Sequence, residues 1–131
     1  MLKNPLNNMK SVLPDTNFFL RYLLDDVPSQ VKIAEKLFTD AKNDKIKLRV
    51  PQIIIFEIHF ALIKYYLFPK NEVLDKLENV VSTDYFLIED RDVFLKAIDI
   101  HREKNISFVD SFLKALCESK NFKLLSFDKK L

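Results

Sequence analysis

The chain has no glycine among its 131 residues, and that absence removes whole classes of site before any other residue is weighed. A P-loop or a Rossmann dinucleotide turn needs glycine where the backbone closes on a phosphate, so neither is available. What remains is an alternation of strand-like and helix-like stretches. Val12 and Leu13 read as the end of a buried strand, with Pro14 at its last position because proline cannot donate to a ladder. Thr16 or Asn17 is placed to cap a helix whose apolar faces are Phe18, Leu20, Leu23 and Leu24. Further helices are expected over residues 28–43, 52–67, 90–104 and 108–120, and one begins at Asn71 with Val73, Leu74, Leu77 and Val80 on one face. Strands are expected over residues 47–50, 85–88 and 123–127. Strands separated by helices predict an α/β fold with a parallel sheet covered on both faces.

The length suits one domain with a real core, and 48% hydrophobic with 31% charged residues is an ordinary globular composition. A net charge of +2 does not announce a nucleic-acid binder, so any such reading depends on where the charges lie. The single cysteine, Cys117, permits no internal disulfide, suits a reducing cytoplasm and reads as a core thiol. Residues 1–10 are expected to be an N-terminal extension without a secretory signal, with the domain over residues 11–131. No apolar run reaches membrane-spanning length.

Four carboxylates stand in awkward places. Asp15 follows the first strand at a helix start, where open α/β sheets put their ligands, although a capping role suits it equally. Glu57 interrupts the most apolar helix, where a charge is costly unless paired or bound to a cation; Lys64 or Arg49 would be its partner in a purely structural ion pair. Asp110 fits a capping box led by Ser107, on a helix expected to bury Val109, Phe112, Leu113 and Leu116. Asp128 follows the last expected strand directly, at the same sheet edge as Asp15. Converging on one edge, the four would repel one another unless protonated or metal-bound. Oxygen-only ligands point to a hard cation, Mg²⁺ or Mn²⁺. His59 and His101 lack ligand spacing.

The DTN of residues 15–17, the lone Glu57, SFVDSFLKALCES and the closing LLSFDKKL resemble, in order and spacing, the PIN-domain ribonucleases, in particular the VapC-like toxins of toxin–antitoxin pairs. The resemblance covers residues 11–131. It implies a three-layer α/β/α sandwich and a catalytic metal site of Asp15, Glu57, Asp110 and Asp128, with Asn17 and Ser126 as supporting residues. It also implies RNA as substrate and a small antitoxin as partner. The chain departs from the family pattern at Pro14 and in ending soon after Asp128. Arg21, Lys64, Lys114, Lys129 and Lys130 lie near the acids in sequence and would form a basic rim for phosphates.

Two other readings compete. An inactive PIN-like interaction domain would keep the fold and bind a helix, and an aspartate-dependent phosphatase would want a second aspartate where Asn17 stands. Surplus apolar side chains at Phe19, Tyr22, Tyr65, Tyr66 and Phe68 predict a homodimer and an antitoxin segment docked near Arg21.

Overall fold

The computed structural model describes residues 9–131. Three strands, β1 (Lys10–Val12), β2 (Ile46–Val50) and β3 (Phe86–Ile88), form a parallel sheet in the order β1-β2-β3. The helices are α1 (Thr16–Leu24), α2 (Pro28–Lys42), α3 (Gln52–Lys64), α4 (Lys70–Val81), α5 (Arg91–Glu103) and α6 (Phe108–Lys120). Three parallel strands with six helices are the expected α/β/α architecture. The expected extension over residues 1–10 falls mostly outside the described residues, and Lys10 already belongs to β1.

Alternation along the strands divides the sheet's faces. Val12, Leu48 and Phe86 stand level on one face, where Leu48 and Phe86 are buried. On the other face Ser11, Arg49 and Leu87 are exposed. Leu13, expected in a buried strand, lies just past β1 and is 60% exposed. The buried face is closed by Phe19 of α1 and Phe38 of α2, whose rings meet Phe86 at 5.6 and 4.9 Å. A second cluster joins α3, α5 and α6 through Phe56, Phe94, Phe108 and Phe112.

The α4 face is as expected, with Val73, Leu74, Leu77 and Val80 all buried, but its cap position is Pro69 rather than Asn71. Helix α6 is turned relative to expectation. Phe108, Ser111, Phe112 and Ala115 face inward, while Val109 and Leu113 are exposed. Burying Ser111 is tolerated because its hydroxyl donates to the Ser107 carbonyl at 2.9 Å. The strand expected over residues 123–127 is not formed; that segment runs as an exposed arm after α6, since strand geometry needs a partner edge.

Without glycine, left-handed backbone falls on Asp25, Asp44, Asp90 and Asn121, whose short polar side chains tolerate it, and on Leu67, whose side chain does not ease it. Arg91 fixes the approach to β3 by donating to the carbonyls of Val81 and Thr83 at 2.7 Å and to that of Phe86.

His59 on α3 stacks on Phe108 at 4.3 Å and faces His101 at 5.8 Å. Burial, followed by repulsion from His101, lowers its pKa to about 4. His101 is lowered in the same direction by burial and by Lys70, against the bond its Nδ1 makes with the Ile106 carbonyl. The unfolded chain takes up the His59 proton near the ordinary value of 6.5, whereas the folded chain resists it until about pH 4. Stability is therefore full above pH 6.5 and falls as pH drops through that window. Melting temperature measured between pH 7 and pH 4 should decline more steeply for wild type than for His59→Leu; parallel profiles would rule out this coupling.

Candidate active site

Asp15 ends the turn between β1 and α1 and is itself the helix cap, rather than Thr16 or Asn17: its Oδ1 accepts from the Asn17 N–H at 3.0 Å. Asp, Thr and Asn are all good caps, so DTN alone did not choose among them. The cap leaves Thr16 free for a different task, and its hydroxyl donates to Glu57 Oε2 at 2.6 Å, linking α1 to α3. Sequence reasoning missed that contact. The signal for it is a hydroxyl next to a candidate acid, obscured because threonine is also a good cap.

Glu57 is exposed, which corrects the expectation of a costly buried charge. Helix α3 buries Ile54, Ile55, Ile58, Ala61 and Leu62 on one broad face and turns Ile53, Glu57, Phe60 and Lys64 outward. Neither proposed ion-pair partner is used. Arg49 Nε donates to Ser11 Oγ, and Lys64 Nζ sits over the Phe60 ring, 5.2 Å from its centroid.

Asp15 and Glu57 line one cleft of ≈ 610 Å³, walled by Thr16, Phe60, Tyr65 and Tyr66. A smaller groove of ≈ 270 Å³ between α1 and α2 shares Asp15 and Asn17 and reaches Arg21. Arg21 is engaged by Asp26 at 3.2 Å and by the Tyr66 hydroxyl, so it braces the cleft wall.

The other two acids are outside this lining. Asp110 lies in the first turn of α6, where its backbone N–H donates to the Ser107 hydroxyl at 3.0 Å. The cap half of the expected box is thus formed. Asp128 stands on the exposed arm. There the Asp128 backbone N–H donates to Ser126 Oγ, and Asp128 Oδ1 accepts from the Lys130 N–H. Lys114 neighbours Lys104, which lowers its pKa. Lys129 is exposed on the arm.

Among the described residues no group of three or more His, Cys, Asp or Glu side chains is assembled to hold a metal ion. Carboxylate oxygens are the right donors for a hard cation, and Mg²⁺ keeps several waters and needs only one or two of them, so Asp15 and Glu57 at the cleft are the residues that would hold it.

The PIN domain family matches residues 12–131. The chain belongs to the PIN domain family. Such domains are nuclease-type and generally use divalent metal ions. No curated protein and no solved structure matches the chain. No helix of the described residues is long and apolar enough to cross a membrane.

The capping geometry separates fold from chemistry at Asp15. Asn is as good a cap as Asp, so Asp15→Asn should leave urea-unfolding stability within about 0.5 kcal/mol of wild type, whereas Asp15→Ala should lose about 1 kcal/mol. Equal losses for both variants would show that the cap contributes nothing.

Proposed function

We propose that the chain is an Mg²⁺- or Mn²⁺-dependent endoribonuclease that hydrolyses RNA phosphodiester bonds, acting in the cytoplasm as the toxin of a VapC-like toxin–antitoxin pair. The observation that carries this reading is the cleft at the carboxyl end of β1, where Asp15 and Glu57 meet and Thr16 orients Glu57. Asp110 and Asp128 are proposed to complete the acidic set, with Asn17 and Ser126 in support. Lys64, held over Phe60 on the cleft wall, offers a cation where a phosphate would enter. Arg21, Lys114 and Lys129 extend that basic rim in the proposal, Arg21 through its place in the adjoining groove.

The partner surface is proposed at the exposed side chains beside the cleft, Phe60, Tyr65 and Leu67. Phe19, expected to share in it, is fully buried instead. An amphipathic antitoxin segment laid there would cover them, and the toxin itself is proposed to be a dimer. A second reading, a PIN-like interaction domain without activity, is favoured by Asp110 and Asp128 standing outside the cleft that Asp15 and Glu57 line.

Purified protein should cleave RNA when Mg²⁺ or Mn²⁺ is supplied and stop on chelation, and Asp15→Asn or Glu57→Gln should lower the rate by about 10²-fold or more with circular dichroism unchanged. Cleavage that survives excess chelator would end the metal-dependent reading. Silence with every ion, together with a small protein retained on the column, would select the interaction domain.

A further inference from the structure

We propose that the groove between α1 and α2 is a nucleobase pocket, which takes one base of single-stranded RNA beside a phosphate at Asp15 and makes Gln30 a specificity-determining residue. The proposal rests on the nuclease reading above and adds to it the side chains that select the substrate.

The groove is a separate space from the cleft, and Asp15 and Asn17 line both. A backbone phosphate at that shared ridge leaves its flanking nucleosides to either side, one toward the cleft and one toward the groove. The groove's volume of ≈ 270 Å³ falls at the low end of ligand pockets, roughly 300–1,000 Å³, so it accepts a single ring system and not a length of chain. It is also preformed. Phe19 and Tyr22 of α1 meet Phe38 of α2 at 5.4 and 5.0 Å, which fixes the spacing of the two helices before any ligand arrives.

The lining suits a base and not a phosphate. Phe18 is half-buried and Ile33 is exposed, and together they give the groove an apolar wall. Phe18 meets no other aromatic ring among the described residues, whereas the adjacent Phe19 is spent on Phe38 and Phe86. An aromatic ring at a groove wall is what a splayed RNA base stacks on. Arg21, the cation of the lining, is engaged by Asp26 and by the Tyr66 hydroxyl, and its Nε is buried. With Asp15 at the other end, the lining offers a phosphate no free cation among the described residues.

Selection lies in two amides, one from each helix. Asn17 and Gln30 are exposed in the lining, and neither side chain is hydrogen-bonded elsewhere among the described residues. An amide carries a donor and an acceptor together, which is the pattern that base edges present. Asn17 belongs to the ridge beside Asp15. Gln30 lines the groove and not the cleft, so it acts on which base is taken rather than on the bond that breaks.

The test uses the full chain and short single-stranded RNAs carrying each base in turn at every position. With Mg²⁺ or Mn²⁺ supplied, wild type should cleave about tenfold or more faster beside its favoured base than beside its least favoured, at one fixed position next to the scissile bond. Gln30→Glu, which exchanges the amide donor for an acceptor, should change which base is favoured, and Gln30→Ala should flatten the preference to about threefold or less. Ile33→Trp fills the groove from an exposed helix position that folding tolerates, and should raise KM for RNA about tenfold with little change in kcat. Equal cleavage beside every base, with Ile33→Trp behaving as wild type, overturns the pocket and leaves the nuclease reading standing. A binding arm is independent of cleavage. On wild type and on Asp15→Asn, RNA with 4-thiouridine beside the target bond should photo-cross-link to residues 17–33, and Ile33→Trp should abolish that cross-link. A cross-link mapped elsewhere, or none, overturns the pocket. A cross-link to residues 17–33 from a wild type that cleaves with neither ion overturns the nuclease reading and leaves an RNA-base pocket.

Discussion

The three-way aromatic contact of Phe19, Phe38 and Phe86 is the constraint on which the architecture depends. Phe19 meets Phe38 at 5.4 Å and Phe86 at 5.6 Å, and the three rings tie α1 and α2 to the far strand of the sheet. Aromatic side chains bury large areas and prefer tilted or edge-on pairs, so this contact fixes direction as well as proximity. Asp15 lies one helical turn before Phe19. The position of a carboxylate at the sheet's end is thus decided by rings in the core.

Helix α3 lies between that region and the second aromatic cluster. Phe56 packs toward Phe94, Phe108 and Phe112, while its neighbour Glu57 is turned outward and accepts from Thr16. Adjacent residues of one helix therefore serve the core and the cleft. Because Thr16 belongs to the first turn of α1, the bond to Glu57 couples the two packing units at the point where the family's chemistry is expected. The remaining acids depend on α6 and on the arm, which belong to the second unit and to neither.

Much of this was legible in the sequence where one physical rule acted alone. The α4 face, the parallel strands β2 and β3 and the turn at Asp15 follow from periodicity and punctuation. The failures occur where two rules compete. A helix as apolar as α3 does not reveal which side meets the core, so the exposure of Glu57 was hidden until tertiary packing chose a face. In α6 the pattern of Val109 and Leu113 argued for one rotation, and the hydrogen-bonded burial of Ser111 with the rings of Phe108 and Phe112 produced another. The segment 123–127 has the residues of a strand and no local partner to make it one. Family membership was legible from the order of four short motifs, none sufficient singly, and it holds over residues 12–131.

Left-handed turns made from aspartate and asparagine have a mechanical consequence. Glycine loosens a chain by widening the conformations open to each loop, and its absence narrows both the unfolded ensemble and the connections of the folded one. At Asp25, Asp90 and Asn121 the chain turns at the borders of helices, with torsions that a side chain restricts. Such joints make poor hinges. The cleft between α1 and α3 therefore owes its shape to packed helices and stiff turns rather than to a loop that swings.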